Sequence, residues 1–284
     1  MNGTIFAQVA AALVCFPMAA YSQAVPYPGD GPGVYVVRVI SVGPARRDAF
    51  VACLAQSDLP YWRGLKEKGI LAKVSVFETT SVTTSEPGVP AWNFVISSRL
   101  AESANADSFV QALEKRKGCE SAARVEVRRT ETLRTHPNIP GYARETAADD
   151  LKAQEWKLEY VIEYLAVKDT PEALHRWSEY IRLYEAPPEI LMIRDGWSFS
   201  ALGLETMKVN YIQPGMPGWN RLFFGDADVP GKDPAARTAA LEAARRQLVP
   251  GGIAAYTAER AATQSIRTVP RVDHVRQLFE LAVR

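Results

Sequence analysis

The sequence predicts an α+β fold in which one β-α-β-β-α-β unit is written twice in tandem. Self-comparison is the first observation. Shifted by 127 positions, Pro44 falls on Pro171, Pro60 on Pro187, Gly69 on Gly196, Glu78-Thr79 on Glu205-Thr206 and Val82 on Val209. Pro87-Gly88, Pro90 and Trp92-Asn93 fall on Pro214-Gly215, Pro217 and Trp219-Asn220, making eleven identities between residues 44 and 93. The flanks supply the second observation. Tyr35-Val36-Val37 matches Tyr160-Val161-Ile162, Leu113-Glu114 matches Leu241-Glu242, and Thr132 to Thr135 resembles Ser265 to Thr268, with Pro137 or Pro270 following. The third is that hydrophobic patterning gives both segments the same order of elements. The units are bounded at 33–137 and 158–270, with a polar connector over 138–157 and a terminal helix expected over 271–284.

In the first unit, the β-branched run Val34 to Val42 reads as a strand. Pro44 suits a first helical turn and Asp48 places acid near its positive end. This helix is expected to stop near Pro60, and a short one, Tyr61 to Lys68, to end at Gly69. Strands follow over Ala72 to Thr80 and Trp92 to Leu100, then a helix over Asp107 to Lys117 and a strand over Arg124 to Leu133. The second unit repeats this. It has a strand over Leu158 to Val167, a helix capped by Thr170 with Pro171 behind it, and a break at Pro187-Pro188. Strands near Ser198 to Val209 and Asn220 to Gly225, a helix over Ala235 to Leu248 and a strand over Ala262 to Thr268 complete it.

Composition narrows the function classes. Thirty-three Lys and Arg against 32 Asp and Glu give a net charge of +1, which offers no field to hold a polyanion, so no nucleic-acid partner is expected. Residues 1–24 carry an apolar run from Ile5 to Ala20 that ends in Ser22-Gln23-Ala24, a small-x-small cleavage pattern. They read as a secretory signal peptide, which predicts a periplasmic or secreted protein with no membrane segment after cleavage. Cleavage removes Cys15 and leaves Cys53 and Cys119, as a disulfide or as two separate buried thiols. Three scattered histidines form no metal-ligand spacing, and there is no phosphate loop or nucleophile elbow, so neither metal nor cofactor is expected.

Each unit has the ferredoxin-like order, two helices on one face of a four-stranded antiparallel sheet. Two such sheets in one chain can pack face to face, and the whole resembles the dimeric α+β barrel superfamily fused into an intramolecular pseudo-dimer. That resemblance covers roughly residues 33–270 and implies a monomer, with a pocket between helices and sheet. Its members include antibiotic-biosynthesis-type monooxygenases, muconolactone isomerases, chlorite dismutases and dye-decolourising peroxidases, so the fold alone does not select a chemistry. The haem-binding members use a proximal histidine; no ligand carries over to His175, which stands where the first unit has Asp48.

Several residues stand as site candidates beside a structural role. Glu78 and Glu205 are candidate bases or braces of the Pro-Gly loops. Trp92-Asn93 and Trp219-Asn220 are pocket walls or loop anchors. Arg134 and Arg267 are matched as carboxylate binders or surface ion pairs. Arg38 and Glu163 are equivalent first-strand positions that could meet across the pseudo-two-fold axis. The second unit has the larger aromatic supply, so a small apolar ligand is placed there, with Trp177, Tyr180, Trp197, Glu205, Trp219, Asn220 and His175 as its candidate contacts. Two functions remain open. One is binding of a small apolar molecule or a partner without catalysis; the other is a cofactor-free monooxygenase or isomerase acting on a small aromatic or apolar compound.

Overall fold

The computed structural model describes residues 32–116, 118–122, 125–139, 141–143, 158–229 and 231–281; the expected signal peptide and most of the connector lie outside them. Strand β1 (Val34–Ser41) leads through a 3₁₀ turn (Pro44–Arg46) into α1 (Arg47–Cys53), a π-helical turn (Leu54–Asp58) and α2 (Leu59–Glu67). Then come β2 (Leu71–Ser85), β3 (Phe94–Leu100), α3 (Ala106–Arg116), α4 (Gly118–Ala122) and β4 (Glu126–Thr135). After the two-residue β5 (Tyr142–Ala143), the order resumes with β6 (Glu159–Val167), α5 (Pro171–Tyr180), a second π-helical turn (Ile181–Glu185) and α6 (Ala186–Arg194). The chain ends with β7 (Ser200–Ile212), β8 (Arg221–Asp228), α7 (Pro234–Leu248), α8 (Gly252–Thr263) and β9 (Arg267–Leu281). Pro60 and Pro187 do not separate two helices as expected. Each sits in the first turn of the helix after a π-turn, where its missing N–H costs nothing, so the helical path runs on.

The strands order as β4-β1-β3-β2-β9-β6-β8-β7, and β7 returns to β4, closing an antiparallel barrel with β5 attached to β7. Within each half the order is that of a ferredoxin-like sheet. The halves are stitched by their long second strands, because β2 lies along β3 and then along β9, while β7 lies along β8 and then along β4. Closure pairs these strands on both sides within the barrel, while their outer ends, beyond Glu78 and Glu205, keep one strand partner each.

Alternation divides the core. One set of strand residues, including Tyr35, Val37, Phe77, Tyr160, Tyr164 and Phe224, fills the barrel interior with Trp92 and Trp219. The other set packs under the helices, as Val36 and Ile40 do with Phe50 and Trp62 in the first half, and Leu165 and Val167 with Trp177 and Ile193 in the second. Cys53 and Cys119 are bridged, with Cα atoms 5.7 Å apart, tying α1 to α4.

Three expectations are corrected. The terminal helix expected over 271–284 is not formed by residues 271–281: β9 runs from Arg267 to Leu281 as a central strand between β2 and β6. The strand expected over 262–268 begins only at Arg267, because α8, which has no counterpart in the expected order, occupies Gly252–Thr263. Arg38 and Glu163 do not meet. Both point away from the barrel interior, toward the helices of opposite halves, and Arg38 forms a bidentate pair with Glu120 instead.

Candidate functional site

The Trp-Asn segments have equivalent structural roles in both halves. Asn93 accepts from the Val42 N–H at 2.8 Å and donates to the Val42 carbonyl at 2.9 Å; Asn220 does the same with Val167 at 2.9 and 2.7 Å. Each amide thus fastens the entry of its third strand to the end of its first. The indoles point into the barrel. Trp92 lies under the Arg271 guanidinium at 3.7 Å and donates to Asp273 at 2.9 Å, while Trp219 lies under Arg129 at 4.0 Å and donates to Glu131 at 2.7 Å. Each arginine also bonds the carbonyl of its own tryptophan and its own acid. These clamps, and Tyr164 between the two rings, are fully buried and fill the interior.

The outer carboxylates are structural too. Glu78 receives two bonds from Arg47 at 2.6 and 2.8 Å and one from Arg276 at 2.9 Å; the Arg47 bonds hold its carboxyl below the usual range against the effect of burial. Glu205 receives Arg134 at 3.0 Å and lies 3.5 Å from Arg221. Neither braces a Pro-Gly loop. Arg134 and Arg276 are the matching pair, so the sequence match of Arg134 with Arg267 is displaced: Arg267 sits elsewhere, against Trp177 and Thr263.

An open space of about 170 Å³ lies in the second half, between the outer face of β6, β7 and β8 and the cover formed by α5 to α8. Leu165 and Phe223 rise from the strands, and Trp177 and Ile181 close over them. His136 and Ile139, in the turn after β4, form one side. That turn lies against Gly203, where a Cβ would come within 3.2 Å of His136 Cβ, so glycine permits the approach. His136 Nδ1 accepts from the Asn138 N–H at 3.2 Å, which leaves Nε2 to carry the proton; burial lowers the imidazole pKa and keeps the ring neutral.

The remaining wall is charged. Tyr180 and Tyr256 both donate to Glu185, and Tyr256 receives Arg245 at 2.8 Å and Arg260 at 3.2 Å. Glu163 from β6 and Glu189 from α6 have no hydrogen-bond or ion-pair partner among the described residues. Burial raises the Glu163 pKa, with the Glu185 charge adding to it and Arg267 opposing. Burial, with the charges of Glu185 and Asp226, pushes Glu189 up to about 7. The space is therefore amphiphilic rather than apolar, and Glu189 is suited to give or take a proton near neutrality.

The structure separates the sequence candidates. Trp177 lines the cavity, and Tyr180 touches it only through Glu185. Glu205 lies behind His136 and Arg221. Trp219 and Asn220 belong to the clamp, Trp197 lies under Lys232 at 4.7 Å, and His175 is exposed on α5. Sequence reasoning missed Glu185, Glu189, Arg245, Tyr256 and Arg260. Tyr256 and Arg260 sit on the unexpected helix α8, whose Gly251-Gly252 start and Ala-rich body were the available signal.

This architecture is that of the dimeric α+β barrels, held within one chain. A dyp-type peroxidase candidate from Shewanella oneidensis shares 9% identity at a TM-score of 0.50, over 88% of this chain and 95% of that one. An anthrone oxidase-like protein (12% identity, 90% and 97% covered, TM-score 0.44) and a heme-binding protein from Thermus thermophilus (9%, 90% and 95%, 0.41) are also similar. At such identities the likeness is one of fold. No protein-family model and no curated protein matches the chain. Haem does not fit the residues present. The cavity of about 170 Å³ is below the ~300 Å³ at which sites for drug-sized ligands begin. His136, the histidine on its wall, has its Nδ1 lone pair already engaged, and His175 faces solvent.

Proposed function

We propose that the protein binds a small molecule in the second-half cavity. The observation that carries this is the pair of half-buried carboxyls, Glu163 and Glu189, which face open space between packed layers and have no hydrogen-bond or ion-pair partner among the described residues. The corresponding space in the first half shrinks to about 20 Å³ around the Arg38–Glu120 pair. Ligand-observed NMR with a panel of compounds of ten or so heavy atoms tests the proposal. Binding that disappears in a cavity-filling Leu165→Trp variant supports it; binding indifferent to that variant refutes it.

A second reading, proton-transfer catalysis such as isomerisation, is favoured by Glu189 being poised at about 7. Its test is exchange of a C–H proton alpha to a carbonyl in a bound probe in D₂O. Exchange that survives Glu189→Gln and Glu163→Gln alike would remove it.

The protein is also proposed to be exported and cleaved after Ala24, to work as a monomer, and to descend from a duplicated unit. The Cys53–Cys119 bridge suits an oxidising compartment, and the matching Trp-Asn contacts suit a common origin. N-terminal sequencing of the protein from its own host tests the cleavage.

A further inference from the structure

The ligand's chemical class follows from the charges on the wall. Arg245, Arg260 and Arg267 line the cavity, and none has a carboxylate within 4.0 Å among the described residues. Arg245 and Arg260 bond only the neutral phenol of Tyr256, and the Arg245 Nε has no acceptor at all. Arg267 uses Nε on Thr263 and lies over Trp177, with its two terminal nitrogens unengaged. Arg245 and Arg267 are half-buried and Arg260 reaches solvent, and the planar fork of a guanidinium matches a carboxylate. The cavity's own carboxyls, Glu163, Glu185 and Glu189, act on these arginines through space, with none of them within 4.0 Å. Burial raises the pKa of both Glu163 and Glu189, and a carboxyl that does hold its proton offers an O–H to an anion rather than repelling it. The remaining wall, Leu165, Phe223 and Trp177, is apolar and aromatic.

The first half shows what happens when the charges are satisfied internally. There Arg38, at the strand position matching Glu163, meets Glu120, and almost no space remains. In the second half both layers supply charges, Arg245, Arg260, Glu185 and Glu189 from the helix side and Arg267 and Glu163 from the strands, and no ion pair within 4.0 Å joins them across the open space. That space equals roughly six water molecules of liquid volume, enough for a single ring or a short chain.

We propose that the cavity takes a small organic monocarboxylate, with its carboxylate on Arg260 and Arg267 and its apolar body against Trp177, Leu165 and Phe223. This rests on the small-molecule reading given above and adds the charge and shape of the ligand to it.

Calorimetric titration of the mature protein with benzoate, benzamide, benzamidine and sulfate, four probes that differ in charge and body, tests it. Benzoate is expected to bind about tenfold or more tighter than the other three, and to lose about tenfold in Arg260→Gln and in Arg267→Gln. Arg267→Lys, which retains the charge, is expected to recover part of that loss, which separates ligand contact from a packing defect. Equal or tighter binding of benzamide or benzamidine overturns the anion, and sulfate equal to benzoate overturns the organic body. Benzoate binding unchanged in both glutamine variants, or absent altogether, also overturns the proposal. Binding of the neutral or cationic probe that vanishes in Leu165→Trp would leave the cavity reading standing while this one fell.

Discussion

The indole N–H of Trp92 donates to Asp273 at 2.9 Å across 181 residues of chain, and the indole of Trp219 donates to Glu131 at 2.7 Å across 88. Each tryptophan thus reads an acid on the last strand of the other half. Each acid in turn holds the arginine that covers that tryptophan. The two halves therefore share one interior, and neither completes its core alone.

Removing one member of such a clamp strands the others. Asp273→Ala leaves the Arg271 guanidinium buried and uncompensated, with an expected loss of about 3–5 kcal/mol in urea unfolding. The double replacement Arg271→Met with Asp273→Leu removes both charges and is expected to cost less than the single one. Both halves should still unfold in one transition, followed by tryptophan fluorescence. Separate transitions would contradict the shared interior.

The asparagine anchors give a matched pair of tests. Asn93 and Asn220 each satisfy both the N–H and the C=O of one residue at the end of a first strand. Alanine at either site leaves two part-buried backbone groups without these partners and is expected to cost about 1–3 kcal/mol. Aspartate keeps the acceptor but turns a negative oxygen toward the Val42 or Val167 carbonyl, so it should be no better than alanine. Thermal melting of the four variants checks this, and a silent aspartate variant would show that the amide N–H is not needed.

The bridge between Cys53 and Cys119 closes a separation of 66 residues. Loop-closure entropy assigns it about 4 kcal/mol, less where the reduced chain stays compact. The Cys53→Ser, Cys119→Ser double variant is therefore expected to unfold at lower denaturant. A variant chain beginning at Val25, which lacks Cys15, should show no reactive thiol when denatured without reduction. Two reactive thiols would mean the bridge is absent in solution.

The order of elements up to α7 and the structural weight of Trp92-Asn93 and Trp219-Asn220 could be read from the sequence, because turn-forming and aromatic residues coincide there for geometric reasons. The last strand could not be read by periodicity. Its inward positions are Arg271, Asp273, Val275 and Gln277, so the buried face is mostly polar, and the apolar residues left over fall at helical spacing. A different signal was present: Arg129-x-Glu131-x-Leu133-Arg134 and Arg271-x-Asp273-x-Val275-Arg276 share one pattern. That pattern matches the clamps and the outer Glu78 and Glu205 contacts, and it places the final strands 142 positions apart rather than 133. The aromatic supply of the second unit points to the half that holds the cavity. The cavity's charge is hidden from the sequence because Glu185, Glu189, Arg245 and Arg260 come from separate helical segments that only tertiary packing brings together.

Glu189 makes the cavity's chemistry visible as a pH dependence. Its folded pKa of about 7 lies above the ordinary value of 4.5, raised by burial and by the charges of Glu185 and Asp226 and opposed by Arg245 and Arg237. The folded protein therefore holds a proton that the unfolded chain has released. The stability linked to this proton is fully present below about 4.5 and is lost as pH rises toward about 7, beyond which it is flat. Glu189→Gln carries no such proton. Measured against wild type by urea unfolding, the variant should gain relative stability across that window and hold the gain at pH 8. Affinity for a carboxylate ligand should fall in wild type as pH rises through about 7, where folded Glu189 changes from neutral to anionic, and should fall less in the variant. A stability difference that does not change between pH 5 and pH 8 would mean that Glu189 is ionised throughout, and the wall it stands in would then attract a neutral or cationic ligand more readily than an acid.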